Sequence, residues 1–274
     1  MKASIAILGL IGVIFTTTAH AQGTAAQNSE RITVTLSDPA RPGLLKVTMI
    51  NGGITVRTHA GRDIIIEGRA AGRQSPAVTP DGLTRIGPSR AGLVVVEEKN
   101  VVTVSSPVFN APGNLEIQVP AKTNLNLSSM NGNVISVDGV DGDIEVSNMN
   151  GHVRLNGLLG SVVAHSGNGN LFAVFRELPG NKPMSFTSMN GNVDITLPPT
   201  AKANLKIRSD SGDAWTDFEL QRLPAEAPRV ENDRTRRGQL RIIADTTINA
   251  TINGGGTDLD LRTLHGNIFI RKAK

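Results

Sequence analysis

The feature that most restricts this chain is a short phrase that returns at nearly fixed intervals. Met130-Asn131-Gly132-Asn133-Val134 comes back as Met149-Asn150-Gly151-His152-Val153 and as Met189-Asn190-Gly191-Asn192-Val193. Looser copies surround Gly52, Gly169, Gly212 and Gly266. From Gly132 the phrase glycines follow at nineteen, eighteen, twenty-two and twenty-one residues, to Gly151, Gly169, Gly191 and Gly212, and Gly142 and Gly160 mark intermediate turns. A unit of about twenty residues has room for two short strands and two turns. Repetition at this period is the mark of stacked architectures, in which one unit cannot bury its apolar side alone.

Between the turns the residues alternate. Ile54-Val56, Ile144-Val146, Val153-Leu155, Val193-Ile195-Leu197 and Ile268-Ile270 are apolar, with Thr55, Glu145, Arg154 and Asp194 between them. Period-two alternation is the strand signal, and helical periodicity is hard to find after the N-terminus. The expected class is therefore all-β. Two architectures fit. In a β-solenoid, two-strand coils stack and like residues lie above like residues. In an antiparallel sandwich or meander, each Asn-Gly is a type I′ hairpin turn. The strong phrase recurs on every second turn, and the flanking Ser/Thr-x-Met residues recur with it, which favours the solenoid. Asn131, Gly132, Asn150, Gly151, Asn190, Gly191, Gly212 and Gly266 are then read as structural turn residues.

A second repeat overlies the first. Pro120-Ala-Lys-Thr-Asn-Leu-Asn-Leu127 precedes Gly132, and Pro199-Thr-Ala-Lys-Ala-Asn-Leu-Lys-Ile207 precedes Gly212. Lys122 and Lys202, Asn124 and Asn204, and Leu125 and Leu205 are each eighty residues apart. Three segments break the rhythm and are expected as surface insertions: residues 72–92, 175–182 and 223–238.

The N-terminus carries Lys2, an apolar run from Ala3 to Phe15 and Ala19-His20-Ala21. That is the pattern of a signal peptide over residues 1–21, followed by a flexible leader over 22–29. The expected product is an exported protein of the periplasm or cell surface without a transmembrane segment. One domain is expected over 30–274, with an irregular β cap over 30–114 and regular repeats over 115–274. The formal charge of +4 comes with no dense basic block, so ordinary solubility explains it better than nucleic acid does. No cysteine is present, which removes disulfides, thiolate sites and cysteine nucleophiles.

The order of these motifs resembles a bacterial β-strand-repeat family of unknown function, provisionally described as adhesins. The resemblance covers residues 44–274. It rests on Ile117-Gln-Val-Pro120, Leu125-Asn-Leu-Ser-Ser-Met-Asn-Gly-Asn-Val134, the Gly142-Asp-Ile-Glu-Val146 strand, and Ile195-Thr-Leu-Pro-Pro199 before Ser209-Asp-Ser-Gly-Asp213. It implies a solenoid-like fold in the cell envelope and supplies no site residues.

Chemical constellations are few. Asp138, Asp141 and Asp143 within six residues form a candidate calcium set, although aspartates in turns explain them as well. Met130, Met149 and Met189 share a register that thioether–copper chemistry would suit, but an interior or rim ladder accounts for them at lower cost. His152 and His265 lie at or beside the slot that Asn fills elsewhere, and are read as turn residues tolerant of the left-handed region. Trp215 is the only tryptophan and there is no tyrosine, so exposed aromatics for stacking sugars are expected to be scarce. No catalytic residue or cofactor is assigned. The function expected is a non-catalytic binding or scaffold module for an envelope protein or cell-wall glycan. A β-helix lyase or glycosidase and an accessory factor for a membrane stress sensor are the alternatives.

Overall fold

The computed structural model describes residues 29–70, 93–105, 113–180, 182–224, 229–233, 239–243 and 246–274. The expected export segment and the 72–92 insertion lie outside them. Among the described residues there are only strands and turns.

Eight coils form the body, each with one strand in either of two sheets. In chain order they are β2 (Leu44–Asn51) with β3 (Ile54–His59), β6 (Val101–Ser105) with β7 (Gly113–Pro120), and β8 (Asn124–Asn131) with β9 (Val134–Asp138). Next come β10 (Ile144–Asn150) with β11 (His152–Leu158), β12 (Val162–Asn168) with β13 (Leu171–Phe175), and β14 (Met184–Asn190) with β15 (Val193–Leu197). The last are β16 (Ala203–Ser209) with β17 (Ala214–Thr216) and β22 (Thr257–His265) with β23 (Ile268–Lys272). Coil-to-coil pairing is parallel throughout. The solenoid reading therefore holds over the antiparallel one.

Alternation determines what the coils bury. Leu45, Leu125 and Ile144 stack in one sheet, and Ile54, Ile135 and Val153 in the other, all at most 2% exposed. A lone coil would leave these side chains in water, so stacking is what creates the core. Phe175 and Phe186 meet edge to face at 6.2 Å, and the register sets Ala164 beside Phe186, a small side chain next to a large one.

Coil order in the stack is not chain order. In the first sheet the sequence of strands is β16-β22-β14-β12-β10-β8-β2-β6, and in the second it is β7-β3-β9-β11-β13-β15-β23-β17. The chain thus steps over one slot twice, from β7 to β8 and from β15 to β16. The β2–β3 coil fills the first gap and the β22–β23 coil the second. Both steps run through the eighty-residue repeat. Each opens with a turn closed on a proline carbonyl, Thr123 N–H to Pro120 O at 3.1 Å and Ala201 N–H to Pro198 O at 2.9 Å.

Antiparallel strands finish the ends. β1 (Ser29–Val34) pairs with β4 (Ile64–Ala70) and β4 with β7, while β5 (Val94–Glu98) pairs with β6. At the other end β21 (Ile248–Ile252) lies between β16 and β18 (Leu220–Arg222). The 223–238 segment, expected as a surface insertion, carries β19 (Arg229–Asp233), which pairs with β20 (Gln239–Ile243) as a separate ribbon. One two-residue turn with positive φ at both positions is Lys99-Asn100, φ 52° and 65°, between β5 and β6. Asn253-Gly254, between β21 and β22, also has positive φ at both positions, 49° and 83°, but none of the repeated corner phrases does.

Candidate functional site

The corner phrase is a set of stacked columns. Three residues before five of the seven corner glycines stands a buried polar group that donates to the glycine carbonyl of the neighbouring coil; Met49 holds that place before Gly52 and the half-buried Ser209 before Gly212. Ser129 reaches Gly52 O at 3.2 Å, Asn148 Gly132 O at 3.1 Å, Ser166 Gly151 O at 3.2 Å, Ser188 Gly169 O at 3.0 Å and Thr263 Gly191 O at 2.8 Å. One residue before the glycine, Asn51, Asn131, Asn150, Asn168 and Asn190 join amide to amide at 2.8–3.1 Å. One residue after it, Asn192 N–H donates to Asn170 Oδ1 at 2.9 Å, Asn267 N–H to Asn192 Oδ1 at 2.8 Å and Asp213 N–H to Asn267 Oδ1 at 2.9 Å.

These ladders change why asparagine is there. Among the described residues, positive φ outside glycine occurs only at Lys99, Asn100 and Asn253, so the corner asparagines are not in the left-handed region. They are amide rungs between coils, the side-chain ladder seen wherever like strands stack in register. His152 takes part likewise, its Nδ1 accepting from Asn170 N–H at 3.0 Å, and His265 follows Asn190 in register. The glycines allow close approach, since a Cβ on Gly169 would stand 2.5 Å from the Gly151 carbonyl carbon, and Gly52, Gly151, Gly191 and Gly266 also have positive φ.

Asp138, Asp141 and Asp143 each face a cation. Arg57 lies 3.9 Å from Asp138, Arg176 2.8 Å from Asp141 and Lys182 2.9 Å from Asp143. Burial raises the Asp143 carboxyl, but hydrogen bonds from Lys182 and Ser161 outweigh it and hold the group below its ordinary value. Among the described residues no three His, Asp or Glu side chains gather as a metal set. Met130, Met149 and Met189 are outward rather than interior, about half exposed, in a row two residues before the corner glycines. Two shallow cavities, about 330 and 230 Å³, lie at the two slot-skipping steps, the first lined by Pro198 and Lys202 and the second by Pro120 and Lys122.

The outer face of the second sheet holds what the sequence did not disclose. Three residues after Gly151, Gly169, Gly191, Gly266 and Gly212 the side chain points outward, and the register lines these positions up as Arg154, Phe172, Asp194, Phe269 and Trp215. Trp215 is 59% exposed and the two phenylalanines are half-buried. Arg154 sits 5.7 Å from the Phe172 ring centroid and Arg271 5.0 Å from that of Phe269. Arg271 also donates to Asp194 at 2.8 Å, and that bond, reinforced by the charge, lifts its guanidinium above the ordinary value. The chain has eight phenylalanine and tryptophan residues in all, and three of them share this one row.

The family profile for Toastrack DUF4097 matches residues 22–271. The chain belongs to the Toastrack DUF4097 family. The function of that family is not established. No functionally curated protein matches the chain. Among solved structures, a provisionally assigned cell adhesion protein from Clostridium sporogenes is 9% identical, with a TM-score of 0.42, over 89% of this chain and 100% of that one. A provisionally assigned adhesin from Bacteroides fragilis is 10% identical, with a TM-score of 0.29, over 90% of this chain and 98% of that one. No functional assignment follows from either. Among the described residues of this Toastrack chain, no helix is long and apolar enough to cross a membrane.

Proposed function

We propose that this Toastrack chain is an exported, non-catalytic envelope protein that holds a rigid, regularly spaced outer surface against another macromolecule, a protein or a cell-wall glycan. The observation that carries this reading is the outward row Arg154, Phe172, Asp194, Phe269 and Trp215, drawn from five coils and fixed in register by the stack beneath it. Binding to such a frame carries no cost of ordering a loop, because the backbone carrying these side chains is already ordered. The N-terminal charged and apolar pattern supports export.

The test is retention. The purified full chain, immobilised, is offered intact cell-wall sacculi and, separately, solubilised envelope proteins. Saturable retention of either, with the retained polymer intact, is the expected result. No retention from either fraction overturns the proposal, and cleavage of the polymer by the chain replaces it with an enzyme.

A further inference from the structure

We infer that the outward row on the second sheet is a stacking track for a cell-wall glycan strand, an inference that rests on the binding function proposed above. The row is one side chain wide. Neighbouring strands are ~4.8 Å apart, so Phe172 and Phe269 stand about 10 Å apart and Trp215 one step further along. Sugar rings present apolar C–H faces and polar rims, and aromatic rings with planar polar groups beside them match both. Here Phe172, Phe269 and Trp215 supply the faces. Asp194 and Arg271, joined at 2.8 Å, lie among the rings. On one flank runs the ladder of Asn170, Asn192 and Asn267, whose Oδ1 atoms bind coil to coil, and each of these amides carries two further donors on nitrogen.

Two arguments select the glycan over a protein. A stable protein interface covers about 800 Å² on each partner, and three rings in a single row, two of them half-buried, offer much less. The charge is also complementary. Peptide-free cell-wall glycan strands carry carboxylates, and Arg154 and Arg271 border the rings.

Trp215 is the only tryptophan in the chain, so its emission reports directly on the track. Peptide-free glycan strands released from sacculi are titrated into the full chain. Saturable change in Trp215 emission is expected. Phe172→Ala and Phe269→Ala should each weaken binding roughly three- to tenfold, the loss of one stacked ring, and Met130→Ala on the other sheet should not. Circular dichroism checks the fold of each variant. Where alanine unfolds the chain, Phe172→Leu keeps an apolar side chain without a ring face and should show the same weakening. Unchanged emission, or ring variants that bind like the parent, overturns the track. Retention of an envelope protein but not glycan removes this inference and leaves the proposed binding function standing; retention of neither removes both.

Discussion

Replacing Gly169 with alanine isolates the contact on which the stack depends. Gly169 does not have a positive φ, so the substitution introduces no left-handed strain. The new Cβ would lie 2.5 Å from the Gly151 carbonyl carbon, at least 0.5 Å short of the 3.0 Å that real Cβ atoms keep. Backbone stands on both sides, so no side chain can swing away and the two coils must part. Three hydrogen bonds cross that corner: Gly151 N–H to Asn168 O at 3.0 Å, Val153 N–H to Asn170 O at 3.0 Å and Ser166 Oγ to Gly151 O at 3.2 Å. Each is worth about 1 kcal/mol net, and overpacking a filled site costs ~1–3 kcal/mol. The expected loss is about 2–4 kcal/mol. For a domain of this size that lowers Tm by roughly 5–15 °C. Gly180→Ala is the control, because a Cβ there meets nothing within 4 Å. Thermal melts followed by circular dichroism read both. A Gly169→Ala chain that melts within a degree or two of the parent would refute the claim that backbone-to-backbone approach sets these glycines.

Asn148 is fully buried, its Nδ2 donates to Gly132 O and His152 O, and its Oδ1 finds no partner among the described residues. Asn148→Leu should therefore cost about 2–3 kcal/mol in a denaturant titration by leaving those carbonyls unpaired, while Asn148→Ser, the residue of the neighbouring rungs, should cost less. Leu223 N–H meets Asn249 O at 2.8 Å, closing the β18–β21 pair, and among the described residues β19 and β20 pair only with each other. Exchanging residues 225–245 for a short glycine–serine loop should keep the strand spectrum and shift Tm by no more than about 3 °C, since loop entropy changes slowly with length. The folded Asp143 carboxyl titrates below its unfolded value, so its contribution is present above about pH 4 and is lost as pH falls through the folded value. Asp143→Asn should flatten the acid limb of Tm against pH slightly, the effect being small because both partners are about half exposed.

Much of the coil was legible because each of its determinants is local. Alternation in Ile144-Glu145-Val146 names the inward side chains, and the spacing of Gly132, Gly151 and Gly169 counts the coils. Asn-Gly was legible as a corner but misleading in its cause, since the same pair serves a hairpin through backbone conformation and a stack through its side-chain amide. The wrong cause was visible only once Asn150 was found bonded to Asn131 across coils. The methionines show a similar limit: a shared register says that Met130 and Met149 align, not whether they face in or out.

Position in the stack is what only the tertiary structure decided. The eighty-residue repeat was plain in the sequence, yet its meaning, a step over a slot that a distant coil later fills, depends on where β2–β3 and β22–β23 dock. The aromatic row follows from the same order. Phe172, Phe269 and Trp215 each stand three residues after a corner glycine, a signal present in the sequence, but Phe269 lies between Asp194 and Trp215 only because β23 is inserted between β15 and β17. Alternation and spacing are properties of neighbours along the chain and survive in one dimension. Which coil lies on which is settled by burial and hydrogen bonding between segments far apart in sequence, and there the folded stack, not the repeat, assembled the surface.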